Sequence, residues 1–301
     1  MIDKDKITID WIIKVSKENH NVDKILVEKV IRALLLLEGL VKQKLSFAFK
    51  GGTALMLHLK SSKRLSIDID IIMPVKPENL DELLDNVASE QGFLRKELQQ
   101  RNTSSKIDKA HYKFYYYPLH KSNKDEEYVL LDILFEEVQY KNLVELNIQS
   151  SFLPEKEMPL TVKSACLEDI TGDKLTAFAP NTTGIPYFKG TDSMSMEIIK
   201  QLYDIGNLID NVTDIETIKT TFEKFAKTEL AYRDMNTLSE KDVLEDIYQT
   251  SLCIVTRGAD GKGDFDQLQQ GIQRVSRFIF SESYHIEKAI THASKAAYIA
   301  S

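Results

Sequence analysis

The chain has 301 residues, of which 43% are hydrophobic and 28% charged, with a formal net charge of −7. This length suits two packed regions, and this composition excludes collagen-like, disulfide-scaffold and wholly disordered classes. The acidic total argues against a generally basic nucleic-acid binder, yet the charge is uneven. Residues 1–64 hold 13 Lys/Arg against 7 Asp/Glu, a surplus of +6 that leaves −13 for the remainder, so one face can meet polyanions while the rest repels them. No run of about 18 apolar residues offers a membrane span, and Met1-Ile2-Asp3-Lys4-Asp5-Lys6 has no apolar signal core. Cys166 and Cys253 stand apart with no CxxC pattern, which suits a reducing compartment. The expectation is a cytoplasmic protein with no membrane partner.

In chain order, residues 23–43 read as a helix, with Ile25, Leu26, Val30, Leu34, Leu37 and Val41 at spacings of one, three and four. The apolar run Leu45–Phe49 then meets Gly51-Gly52, and Thr53–Leu59 has helix-forming composition with Thr53 placed to cap it. Ser66-Ile67-Asp68-Ile69-Asp70-Ile71 alternates polar and apolar residues strictly, which predicts a strand. Residues 78–91 read as helix, 111–117 and 128–135 as strands, with further strands around 143–148 and 160–162. Long amphipathic stretches follow at 194–210, 214–228, 237–256, 264–279 and 284–299. The fold class is therefore α+β: a mixed sheet with flanking helices over 1–165, then an all-helical domain over 166–301.

The chemistry gathers around the alternating strand. Strand alternation sends Ser66, Asp68 and Asp70 to one face and the three isoleucines to the other, and two carboxylates so spaced can converge on a hard cation. The competing reading is a solvated acidic sheet face. The preceding Gly51-Gly52 changes the balance, because glycines between a strand and a helix let backbone N–H groups approach a phosphate closely. Thr53 and Ser66 would add hydroxyl donors, and Lys63 and Arg64 positive charge. In Tyr128–Phe135 a single charge, Asp132, interrupts an apolar strand; it would complete a three-carboxylate cluster, with Glu136 or Glu137 as the substitute should it face the other way. An edge position or a salt bridge is the alternative for Asp132. The run Phe114-Tyr115-Tyr116-Tyr117 can stack on bases, although core packing is the commoner use of strand aromatics. No His/Cys cluster, Walker-type loop or G-x-S-x-G is present.

The run Lys50-Gly51-Gly52-Thr53-Ala54-Leu55 through Arg64-Leu65-Ser66-Ile67-Asp68-Ile69-Asp70 closely resembles the first motif of the AbiEii/AbiGii-type nucleotidyltransferase toxins, members of the polymerase-β-like nucleotidyltransferase superfamily. The family's later lysine and aspartate motifs have counterparts in Asp173-Lys174-Leu175-Thr176-Ala177 and Lys200-Gln201-Leu202-Tyr203-Asp204-Ile205, so the resemblance spans roughly residues 45–210. Two positions depart from it. Members often have Arg-Asp where this chain has Lys200-Gln201, and an Arg after the Lys174 helix is missing. The resemblance implies an enzyme of the toxin–antitoxin or phage-defence type that moves a nucleoside monophosphate from an NTP to an acceptor hydroxyl, with tRNA 3′ ends as plausible acceptors. It implies Mg²⁺, or Mn²⁺ in its place, held by Asp68, Asp70 and Asp132; a nucleotide site built from Gly51, Gly52, Thr53, Lys63, Arg64, Ser66 and Lys200; and Lys174 and Asp204 as further catalytic residues in a helical domain that closes the nucleotide cleft. Lys174 would reach the triphosphate, or else pair with Asp173 or Glu168 at the surface. A separately encoded antitoxin, often a winged-helix repressor, would be the protein partner. The other readings are a catalytically inactive nucleotide-binding scaffold and a nucleotidyltransferase acting on a protein or small molecule.

Overall fold

Apolar periodicity and good caps build the first helices. In the computed structural model, which describes residues 1–59, 64–99, 108–120, 124–154 and 158–301, α1 spans Ile9–Glu18 and α2 Lys24–Lys42. Thr8 caps α1 by accepting from the Trp11 N–H at 3.2 Å, and Asp23 caps α2 by accepting from the Ile25 N–H at 2.7 Å. Helix α2 follows the periodicity of 23–43 and buries Val27, Val30, Ile31, Leu34 and Leu37 completely. Helix α1 lies outside the predicted elements, and it buries Ile12 and Val15 completely.

The chain divides into two units, Met1–Val138 with Leu143–Ala165, and Gln139–Asn142 with Cys166–Ser301. In the first, β1 (Ala48–Lys50), α3 (Gly51–His58), β2 (Ile69–Ile72), α4 (Leu80–Gln91), β3 (Arg95–Leu98), β4 (Lys109–Tyr116), β5 (Glu127–Leu134), β6 (Leu143–Asn147) and β7 (Thr161–Ala165) follow in order. The strands form one mixed sheet in the order β3-β4-β5-β2-β1-β7-β6. Strands β2 and β5 run parallel, as do β1 and β7, and the other pairs are antiparallel. Helices α2 and α4 pack on one face, where Ile69, Ile71, Phe114, Leu131 and Ile133 are all but inaccessible. Alternate residues of β4 and β5 on the other face are only half-buried.

Two boundaries differ from the sequence expectation. The acidic strand begins at Ile69 rather than Ser66, because β1 has only three residues before Gly51 turns the chain into α3, and the β1–β2 ladder ends where Lys50 meets Asp70. Strand β3 has no alternating apolar pattern; it is an edge strand on which Arg95, Glu97 and Leu98 are exposed.

The second unit contains α5 (Leu167–Ala177), α6 (Ser195–Leu208), α7 (Ile215–Tyr232), α8 (Glu240–Val255), α9 (Phe265–Val275) and α10 (Ile286–Ala300). A two-residue hairpin, β8 (Phe188–Lys189) with β9 (Asp192–Ser193), interrupts what was expected to be wholly helical. Ile198, Leu202, Phe222, Ile247, Ile254 and Ala293 belong to its core. His292 is buried in that core between the Tyr203 and Tyr284 rings, at 5.4 and 5.6 Å, and its Nδ1 has no hydrogen-bond partner among the described residues.

Burial, reinforced by Lys295 and opposed by Glu282 and Asp210, pushes the His292 imidazole down to about 4. The unfolded chain takes up that proton near the ordinary value of roughly 6.5 and therefore binds more protons across the interval between the two values. Stability is complete above that ordinary value and falls with pH towards 4, by about 3 kcal/mol from this group. Thermal unfolding followed by circular dichroism should show that decline, and His292→Leu should flatten it.

Candidate active site

Register brings the site together. Antiparallel β1–β2 sets Lys50 opposite Asp70, parallel β2–β5 sets Asp70 opposite Asp132, and antiparallel β4–β5 sets Asp132 opposite His111. Directly paired residues share a face, so a cation, two carboxylates and an imidazole form one row across four strands. Adjacent strands lie roughly 4.8 Å apart, close enough for both carboxylates to reach a common ligand. The His111 Nδ1–H donates to Asp132 Oδ1 at 2.6 Å, and the two side chains are 16% and 31% exposed. Asp132 is therefore anchored through one oxygen and still open to solvent.

The glycines sit directly against this row. Gly51 has φ +80°, and a Cβ there would lie 2.1 Å from Asp70 Oδ2, so only glycine lets the carboxylate rest over the start of α3. A Cβ at Gly52 would lie 2.6 Å from Ser66 Oγ and 2.7 Å from Arg64 Nη2. Gly51, Gly52, Arg64, Ser66 and Asp70 thus gather at one helix N-terminus. Lys50 occupies its cap position without a side-chain hydrogen bond to the helix. Helix N–H groups at such an end suit an anion.

Thr53 plays a different part from the one expected. It lies inside α3, is completely buried, and donates to the Asp68 carbonyl at 2.6 Å. That bond holds the segment just before β2, so Thr53 braces Asp68 rather than capping the helix. Arg64 is buried, with Nη1 donating to the Leu65 carbonyl at 3.2 Å. Lys63 lies outside the described residues.

In the second unit, Lys174 on α5 is 7% exposed and Asp204 on α6 is 5% exposed. Lys174 Nζ lies 2.8 Å from Asp204 Oδ2 and donates to Gln201 Oε1 at 3.0 Å. The surface pairs considered for Lys174 do not form: Asp173 accepts from the Tyr140 hydroxyl at 2.6 Å, and Glu168 accepts from the Thr213 N–H at 3.2 Å. Lys200 points elsewhere, 4.7 Å over the Phe278 ring and 3.9 Å from Glu197. Among the described residues, a cavity of about 590 Å³ lined by Met56, His58, Glu145 and Asn147 lies beside β6 and shares no residue with the acidic row.

A divalent cation fits the acidic row. Carboxylate oxygens are hard donors, and Mg²⁺ is ordinarily held by one or two carboxylates plus substrate phosphates. Among the described residues no cluster of three His, Cys, Asp or Glu forms a ready-made cage, so the donors on hand are the Asp70–Asp132 pair with Asp68 preceding it. His111 and the Gln201 contact escaped the sequence reading. The alternation in Lys109–Tyr116 puts His111 on the polar face, but only the register puts it beside Asp132.

A glycine turn into a helix beside paired carboxylates, on a mixed sheet followed by a helical unit, defines a nucleotidyltransferase. A family model described as "Nucleotidyl transferase AbiEii toxin, Type IV TA system" matches residues 35–278. The chain belongs to this family of toxin nucleotidyltransferases, whose type implies an antitoxin partner. No curated protein matches it. Among solved structures, it is similar to MenT4, the nucleotidyltransferase toxin Rv2826c from Mycobacterium tuberculosis H37Rv, at 11% identity and TM-score 0.52, covering 96% of this chain and 89% of that one. JHP933 from Helicobacter pylori is 18% identical with TM-score 0.48, covering 90% and 89% of the two chains. A putative nucleotidyltransferase from H. pylori is 18% identical with TM-score 0.47, covering 91% of each. Among the described residues, no helix is long and apolar enough to cross a membrane.

Two predictions follow from the row. Gly51→Ala should add about 1–2 kcal/mol of backbone strain and displace Asp70, lowering kcat/KM by roughly a hundredfold. Circular dichroism melts and nucleotide-transfer kinetics report the two effects separately. Asp68→Ala and Asp70→Ala should each abolish transfer while leaving the melting temperature unchanged or slightly higher without metal, because removing one acid relieves like-charge repulsion. Unfolding of either variant, or turnover near wild type, would refute the assignment.

Proposed function

We propose that this protein transfers a nucleoside monophosphate from an NTP to the 3′ hydroxyl of tRNA, and that this transfer is its toxic act. The reading is carried by the in-register Asp70–Asp132 pair, with Asp70 lying against Gly51 at the start of α3. The resemblance of the Lys50–Asp70 run to the toxin family supports a tRNA end as acceptor.

Asp68, Asp70 and Asp132 would hold Mg²⁺ or Mn²⁺, which when bound neutralises charge on the triphosphate and on the transferring phosphoryl group. The backbone N–H groups at Gly51 and Gly52, with the guanidinium of Arg64 and the hydroxyl of Ser66, receive phosphate oxygens. The acceptor hydroxyl attacks the α-phosphorus, the bond to the β-phosphate oxygen breaks, and pyrophosphate leaves. Asp132, held by His111, takes the hydroxyl proton. Positioning and charge complementarity do most of the work in such a transfer. In this scheme residues 1–165 carry the nucleotidyltransferase chemistry, and the family resemblance assigns Lys174, in 166–301, as a further catalytic residue. Asp204 and Gln201 hold the ammonium of that lysine, and Lys200 is a weaker candidate for nucleotide contact because its ammonium lies over Phe278. Synthesis in the cytoplasm beside a separately encoded antitoxin completes the reading.

Incubation with each labelled NTP, total cellular RNA and Mg²⁺, followed by gel analysis, tests the activity directly. Label appearing in tRNA-sized RNA supports it, and label confined to protein or to small molecules overturns the acceptor. Lys174→Ala alone would leave Asp204 buried and uncompensated, at a cost of about 3–5 kcal/mol. The informative variant is therefore Lys174→Met with Asp204→Leu. It should recover most of the lost stability yet keep kcat/KM lower than wild type by orders of magnitude, whereas Lys227→Ala, at a lysine whose side chain is 69% exposed, should change neither.

A further inference from the structure

The sheet face that carries the acidic row continues into a different kind of surface. Along β4, Tyr112, Phe114 and Tyr116 are buried, while His111, Lys113 and Tyr115 alternate onto the half-buried face. Their register partners on β5 are Asp132, Leu130 and Tyr128, and β3 adds Arg95 opposite Tyr115. The Tyr115 and Tyr128 ring centroids lie 5.7 Å apart. Lys113 Nζ lies 4.4 Å from the Tyr128 centroid, Lys29 Nζ 5.4 Å from the same ring, and the Arg95 guanidinium 4.1 Å over Tyr115. Glu126 grips Arg95 Nη1 with both oxygens at 2.9 and 2.8 Å, and Glu97 accepts from its Nε at 2.9 Å. The guanidinium is thus held over the ring while 42% of its side chain stays exposed.

We propose that Arg95, Lys113, Tyr115 and Tyr128 form the platform that binds the unpaired 3′ end of the acceptor polynucleotide and leads it to Asp132. The proposal rests on the nucleotidyltransferase reading and assigns where the acceptor lies. Tyr128 is four residues from Asp132 on one strand, with both side chains on the same face, which places the rings roughly 13 Å from the carboxylate. Unpaired bases stack on aromatic rings and on guanidinium planes, and cations beside those rings meet the phosphates. A guanidinium already held over Tyr115 and a pair of neighbouring tyrosine rings offer a base a contact surface at little further ordering cost. A small-molecule acceptor would need a concave pocket rather than an open sheet face. A protein partner would favour an interface core depleted in charge, unlike this patch, which holds Arg95, Lys113, Glu97 and Glu126.

The test is binding of a short labelled single-stranded RNA, and of a blunt RNA duplex of the same sequence, by fluorescence anisotropy without NTP or metal. Tyr115→Leu should weaken single-strand binding about tenfold, and Tyr115→Phe should retain it. Lys113→Gln should reduce the slope of log K against log salt by about one. In transfer assays the same variants should raise KM for RNA and leave KM for NTP and kcat at saturating RNA unchanged. Equal RNA affinity in wild type, Tyr115→Leu and Lys113→Gln, or a wild-type preference for the duplex, would overturn the platform. Because the binding assay contains no NTP, a failure of the transferase reading shows as absent transfer with RNA binding intact, which separates the two.

Discussion

The register between β2 and β5 is the constraint on which the site depends. It sets two carboxylates side by side on neighbouring parallel strands, an arrangement that like-charge repulsion disfavours. The opposite faces of the same strands hold it in place, since Ile69, Ile71, Leu131 and Ile133 are at most 1% exposed. A slip of one residue would drive Asp70 or Asp132 into that apolar layer and bring isoleucine or leucine out. The burial of four large aliphatic side chains, at roughly 1.5–3 kcal/mol each, outweighs the repulsion between two partly solvated acids. Lys50 on one flank and His111 on the other reduce it further. The acidic row is thus stabilised from behind by the apolar face and from the sides by its neighbours.

Buried charge is used differently in the second unit. Asp169 is fully buried at the start of α5, where its oxygens accept from the Lys141 and Asn142 N–H groups at 3.0 and 2.7 Å and from the Thr221 hydroxyl. Asp246 likewise accepts from the Asn181 backbone and side chain and from the Thr182 hydroxyl. Both are staples, because every oxygen already has a donor and solvent is excluded. Asp132, with one oxygen held by His111 and nearly a third of its side chain exposed, retains capacity for a ligand. The Lys174–Asp204–Gln201 group falls between these cases: it is internally neutralised, and the neutral amide at Gln201 leaves Lys174 with one carboxylate partner instead of two. An acid in place of Gln201 would tie the lysine more strongly to α6 than an amide does.

Much of the fold was legible because it is local. The periodicity of α2, the Gly51-Gly52 break, the alternation in β4 and β5 and the amphipathic helices from α6 onward each follow from spacing within one segment. The misses share a cause. Strand β3 exists only because β4 offers it an edge. Thr53 looked like a cap because capping is what a threonine near a helix start usually does, yet the glycines already begin the helix and its hydroxyl reaches the carbonyl of Asp68. The tyrosines of β4 split between two destinations, Tyr112 and Tyr116 into the core and Tyr115 onto the half-exposed face, which composition could not assign.

The amino-acid order by itself determined which residues could carry charge chemistry: Asp68, Asp70 and Asp132 interrupt apolar runs, and Gly51-Gly52 breaks the chain between a strand and a helix. Only the tertiary structure decided which of them meet. Pairing between strands distant in sequence set Asp70 beside Asp132, His111 against Asp132 and Arg95 over Tyr115, and helix packing buried Lys174 with Asp204. The physical reason is that alternation and helical period fix the face a side chain takes from its near neighbours. Register between strands and packing between helices depend instead on apolar surfaces that belong to no single segment.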